Sequence, residues 1–158
     1  MVMQHCQAVL VFAFGGPSET APNRYLAKEA KGWARFRCAP LVAQSGLGLT
    51  PGPNVCIIEP PNLAPLDFIL RFIEIAARFN WHYVDVLAAP LIVARCVRDL
   101  EHLGFHVIHA HDPENKRNSF WFDRTSDRLW TQQPLIGWTR ERIVRRIPWP
   151  IYSHVSKE

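Results

Sequence analysis

Several stretches of this sequence set small, polar or charged residues directly after apolar runs, where a folded chain can use them to hold a ligand. Gly15 and Gly16 close the run at residues 8–14 (AVLVFAF), with Ser18 just beyond and Arg24 shortly after. Ser45 and Gly46 close residues 40–44 (PLVAQ), and Glu59 closes Val55–Ile58 (VCII), with Asn62 nearby. Arg95 lies one turn into the apolar segment PLIVARCVRDLEHL. Glycine beside a small hydroxyl suits backbone amides presented to an anion, and a guanidinium adds the counter-charge. A cation one turn from a helix start does not serve the helix dipole, so Arg95 reads as a candidate anion ligand or as a snorkelling arginine on the helix flank. A carboxylate such as Glu59 can bind a ribose or an amine, act as a base, or simply pair with a neighbouring arginine.

Three histidines crowd one segment, His106, His109 and His111, followed by Asp112. Imidazole and carboxylate together suit a metal ion, but no fourth ligand is evident, so no metal is expected and these read as polar strand-end residues. The motifs of common enzyme classes are absent: no G-x-G-x-x-G, no phosphate-loop lysine, no G-x-S-x-G and no H-E-x-x-H. No catalytic residue can therefore be assigned.

These residues need elements to position them. Five short apolar runs read as strands: residues 8–14, 40–44, Val55–Ile58, Tyr83–Leu87 and 105–109. They are continuously apolar, as suits strands covered on both faces. Helical spacing fills residues 23–36, Pro65–Phe79 and 90–103, the last opening on Pro90 and stopping before Gly104. Strand–helix alternation predicts a doubly wound, mainly parallel α/β sheet of five or six strands, a Rossmann-like three-layer sandwich, whose ligands collect at the carboxyl ends of the strands. One connection breaks the pattern: LGLTPGPN, between Ser45 and Val55, is too short and too broken for a helix. After residue 112 the texture changes. Residues 120–122 (FWF) predict a sixth short strand and residues 138–147 a helix. Residues 1–112 are thus expected to form the α/β core, and 113–158 a Trp- and Arg-rich extension packed on it. Its aromatics, Trp130, Trp138, Trp149 and Tyr152, are expected to bury, and Arg140, Arg142, Arg145 and Arg146 to stay outside, since four guanidiniums cannot be buried without partners.

Composition narrows the class. Of 158 residues, 48% are hydrophobic and 20% charged, enough for one ordinary core and against disorder. The net charge of +4 gathers in the arginine cluster, which could meet phosphate, anionic lipid or RNA or be a solvated helix face; nucleic acid is not the expected partner. Cys6, Cys38, Cys56 and Cys96 form no C-x-x-C pair; Cys56 and Cys96 read as small core residues, and the expected compartment is reducing and cytoplasmic. No run of eighteen apolar residues reads as a membrane span.

The order VLVFAFGG, Arg24, Ser45-Gly46, Glu59 and YVDVLAAPLIVARCVRDLEHLGFHV resembles the YdcF/SanA/ElyC-like α/β family over roughly residues 8–110. Where that family carries a Thr-Ser turn and a histidine three residues before the arginine, this chain has Ala88-Ala89 and Ile92. A less extensive resemblance, of VLVFAFGGPSE to the start of ferrochelatase-like chains, covers one strand and Gly-Gly-Pro. The first resemblance implies a divergent member that binds a small anionic or nucleotide-like ligand. No cofactor can be named from the residues, and S-adenosylmethionine is implied by the resemblance alone. The alternative is a non-catalytic interaction protein that has lost the family's polar site and uses residues 130–152 to contact a protein partner, a second copy or an anionic surface.

Overall fold

The first strand, β1 (Ala8–Val11), is buried at every position, because strands on both sides and helices on both faces enclose it. In the computed structural model, which describes residues 5–60, 64–111 and 118–155, five parallel strands run in the order β3-β2-β1-β4-β5. The others are β2 (Leu41–Gln44), β3 (Val55–Ile58), β4 (Tyr83–Leu87) and β5 (His106–His111). The crossovers are α1 (Ala21–Arg37), α2 (Pro65–Phe79) and α3 (Pro90–His102). A 3-10 turn (Asn118–Trp121) then leads to α4 (Leu129–Gln132), α5 (Pro134–Arg146) and α6 (Trp149–Val155). This is the doubly wound α/β sheet that the strand–helix alternation predicts.

Proline starts the helices. Pro22, Pro65, Pro90 and Pro134 each stand in the first turn of a long helix, and no preceding residue caps it with a side chain. There the missing N–H costs nothing and the fixed φ is already helical. Two helices end in a left-handed residue, Cys38 (φ 51) after α1 and Asn80 (φ 54) after α2. Right-handed crossovers put α1 on one face of the sheet and α2 and α3 on the other. Accordingly α2 and α3 pack on each other, and α1 on β1 and β2. The largest fully buried side chains include Phe12, Phe14, Phe68 and Phe72, each contributing about 1.5–3 kcal/mol by leaving water. Phe12 meets Phe68 edge-on at 4.8 Å.

Several sequence expectations change. The run at residues 8–14 is strand only to Val11. Phe12 still donates its N–H to the Leu87 carbonyl of β4 (2.9 Å), and beyond it side-chain amides replace neighbouring strands as hydrogen-bond partners: Gln44 Oε1 accepts the Ala13 N–H (3.0 Å) and Asn23 Oδ1 the Phe14 N–H (2.9 Å). Residues 120–122 pair with no strand among the described residues; Phe120 and Trp121 belong to the 3-10 turn and dock edge-on against Tyr25 of α1. Cys96 is buried as expected, but Cys56 is exposed, because β3 is an edge strand. On the other edge, His109 and His111 flank Trp33 of α1, at 6.3 and 5.3 Å between ring centres; Asp112 and Asn62 lie outside the described residues. Among the described residues no helix is long and apolar enough to cross a membrane.

Asn23 ties the chain leaving β1 to α1. Besides accepting from Phe14, it donates to the carbonyls of Gly15 (2.8 Å) and Pro17 (3.2 Å), and it is fully buried. Asn23→Ala strands a buried N–H and carbonyls and is expected to cost about 3 kcal/mol in urea denaturation; a loss under about 0.5 kcal/mol would show that water replaces the amide.

Candidate functional site: a filled crevice and an open groove

The strand order reverses between β1 and β4, so the crevice outside their carboxyl ends is where an open α/β sheet is expected to take its ligand. Here the chain's own C-terminal segment fills it. Phe14 at the mouth meets Phe122 (6.0 Å) and Trp130 (5.7 Å) edge-on. Gly15, at φ +67, lies so close to the Ser126 and Thr131 hydroxyls that a Cβ there would sit 2.5 and 2.7 Å from them. Those two hydroxyls share a hydrogen bond. Gly16 does present its N–H to an anion, but the anion is Asp127: its Oδ1 accepts at 2.7 Å, and the Asp127 N–H returns a bond to the Gly16 carbonyl at 2.8 Å. Gly137 of α5 closes the plug. A Cβ there would stand 2.5 Å from the Trp130 carbonyl and 2.8 Å from the Phe122 ring.

Arg95 also faces a carboxylate of the tail, as an ion pair. It is 3% exposed and faces Glu141 of α5, itself 2% exposed, at 3.3 Å. Arg145 approaches the same carboxylate at 3.7 Å and donates to the Leu91 carbonyl at 3.1 Å. One turn on, Asp99 accepts the Tyr152 hydroxyl (2.6 Å) and two N–H groups of Arg98 (2.9 and 3.1 Å), while the Arg98 guanidinium lies 4.5 Å from the centre of the Tyr152 ring. Burial pushes the Asp99 carboxyl above its ordinary value, against the pull of Tyr152 and Arg98. Burial likewise raises the Tyr152 hydroxyl and lowers the Arg140 guanidinium, which sits 4.7 Å over the Trp130 ring. Of the tail aromatics, Tyr152 is buried and Trp130, Trp138 and Trp149 are half-buried; Arg142, Arg145 and Arg146 are exposed, with Arg140 partly covered.

The residues singled out in sequence therefore separate. Gly15, Gly16 and Arg95 meet the tail. Glu59 is exposed after edge strand β3, three strand spacings or about 14 Å across the sheet from the β4 end. Ser45 donates its N–H to Ile58 (2.8 Å) and Gly46 (φ +94) backs onto Ala13, so both hold the sheet edge. Ser18 and Arg24 instead line an open groove of about 600 Å3 between α1 and the β2–β3 loop. The loop that is too broken to form a helix creates it. It runs beside α1 where a crossover helix would otherwise lie, and Gly48 (φ +66) packs close to Ser18.

Along that groove α1 presents Arg24, Lys28, Lys31 and Arg35, all exposed. Their spacing of four, three and four places them on one helix face. Among the described residues, Glu19 is the one acid lining it. Lys31 and Arg35 also border a second recess of about 570 Å3 that reaches Asn54 and Val55. The stripe is written plainly in NRYLAKEAKGWAR, of which the sequence expectation includes Arg24 alone. No protein-family model, no curated protein and no solved structure matches the chain.

Two measurements test the plug. Glu141→Ala leaves a buried guanidinium facing no carboxylate and is expected to cost about 3–5 kcal/mol, whereas Arg95→Met with Glu141→Leu recovers most of that loss; equal losses would show that the pair is not what holds α5 on α3. The second concerns pH. A carboxyl raised in the folded state binds protons there that the unfolded chain has released. The Asp99 contribution is thus full below the ordinary value of 3.8 and fades as pH rises through the raised folded value. Asp99→Asn is expected to flatten this fall in urea melts taken between about pH 3.5 and 7; an unchanged pH profile would contradict it.

Proposed function

We propose that this protein is a ligand-binding α/β domain whose site is the α1 groove, and that its ligand is a small anion carrying more than one phosphate, nucleotide-like in charge. The observation that carries the reading is the stripe Arg24, Lys28, Lys31 and Arg35 facing one open groove beside Ser18. Four exposed cations on one helix face repel one another, and a polyanion turns that repulsion into binding. The stripe spans twelve residues of helix, eleven rises or about 16 Å, enough for a diphosphate with its attached group.

The strand-end crevice offers no comparable site, since Phe14, Trp130, Asp127 and Glu141 occupy it from within. The family's polar turn positions are here Ala88, Ala89 and Ile92, all buried. A divergent relationship to the YdcF/SanA/ElyC-like chains, with the strand-end chemistry given up and binding kept at the neighbouring edge, joins both sets of residues in one reading. S-adenosylmethionine, with its sulfonium and ammonium charges, suits this groove less well than a phosphate ester.

Calorimetric titration of the full chain at low salt with pyrophosphate, ADP and S-adenosylmethionine tests the proposal. Pyrophosphate and ADP are expected to bind, more weakly as ionic strength rises. Lys28→Gln with Lys31→Gln removes two charge-assisted contacts and is expected to weaken both about a hundredfold, with the melting temperature of the free protein unchanged. Binding that the substitution leaves intact, or preference for S-adenosylmethionine, would contradict it.

A further inference from the structure

A second surface, on the tail, has a different chemistry. Helix α5 packs on α3 with Gly137 and Glu141 turned inward and buried. At 100° per residue the opposite side carries Leu135, Thr139 and Ile143, flanked by Arg142 and Arg146. Leu135 is 79% exposed and Ile143 60%. The sole acid between positions 134 and 155 is Glu141, which is buried and spent on Arg95 and Arg145. The outer face thus joins exposed aliphatic side chains to cations, with no acid of its own.

This combination selects its partner. Among the described residues, the recess on that face, of about 410 Å3, is bounded by α5 alone, and none of them belongs to a second element that completes a groove for a peptide helix. A symmetric contact with a second copy would bring the arginines of two α5 outer faces together, and that face carries no carboxylate to separate them. A layer of anionic headgroups over hydrocarbon satisfies both parts: the aliphatic tips enter the acyl boundary while the guanidiniums stay at the phosphates. We propose that the outer face of α5 docks the protein on anionic lipid bilayers.

The test mixes the full chain with vesicles of phosphatidylcholine alone, or of phosphatidylcholine with about 25% phosphatidylglycerol, and pellets them. The protein is expected to pellet with the anionic vesicles and to stay in solution with the neutral ones. Arg142→Gln with Arg146→Gln is expected to weaken binding about thirtyfold, each cation near the surface contributing about fivefold. Leu135→Ser with Ile143→Ser, both at exposed positions and checked for fold by circular dichroism, is expected to abolish pelleting with the charge unchanged. Equal pelleting with both vesicle types, no pelleting with either, or either double variant pelleting like the parent chain would overturn the proposal. So would a dimer in light scattering that Leu135→Ser with Ile143→Ser dissociates. Loss of pelleting on Lys28→Gln with Lys31→Gln, in place of the α5 variants, would move the lipid phosphates to the α1 groove and overturn it equally.

Discussion

A guanidinium that is 3% exposed must have a counter-charge, and the arrangement of the C-terminal half follows from how Arg95 finds one. Its partner, Glu141, comes from 46 positions further along the chain, so α5 has to lie against α3. Once α5 is there, Gly137 must face the Trp130 carbonyl, because no side chain fits between them. Trp130 and Phe122 are then set against Phe14, and Asp127 reaches the Gly16 amide. A fold whose geometry offers a ligand crevice at the strand ends is thereby closed from within, with a carboxylate of its own chain where an anionic ligand would sit.

The opposite flank is governed by an omission. Parallel strands are usually joined through a helix, and the β1–β2, β3–β4 and β4–β5 connections all have one. Between β2 and β3 the Pro51-Gly52-Pro53 segment rules it out. The loop covers less of the sheet than a helix would, β3 is left partly exposed, and the side of α1 that a neighbouring helix would cover stays open. That side carries the lysines and arginines. The open groove begins beside the closed crevice and runs down α1 toward the amino ends of the strands, which is why Ser18 and Arg24 fall in one while Gly15 and Gly16 fall in the other.

Much of the fold is legible in the sequence because local punctuation and tertiary demand agree. Tyr83–Leu87 and Pro65–Phe79 have the bounds their patterns predict, the helix being fixed by Pro65 at one end and left-handed Asn80 at the other. The misread segments are those where a distant partner overrides the local pattern. The run at residues 12–14 is apolar enough for a strand, but only Phe12 still reaches β4, through the Leu87 carbonyl, and Gln44 and Asn23 take the amides of Ala13 and Phe14. Phe120 and Trp121 read as strand because a short apolar run has no period of its own, and docking on Tyr25 decides otherwise. At the candidate site the residue types were legible and their partners were not. Gly16 and Arg95 each meet a carboxylate of the chain's own tail, and nothing local to either announces Asp127 or Glu141. The basic stripe on α1 needed only a count of cations at helical spacing.

Hydrogen exchange at the Gly16 amide tests most directly whether the tail is an integral part of the core. Its acceptor is Asp127, so it opens when the tail leaves. If the plug belongs to the same cooperative unit as the sheet, Gly16 must exchange with an opening free energy within about 1 kcal/mol of that of Leu10 and Val42 in the central strands. Exchange at Gly16 several kcal/mol easier than at those strands, with the sheet still protected, would contradict this and show a lid that opens over the crevice instead of a plug that folds with it.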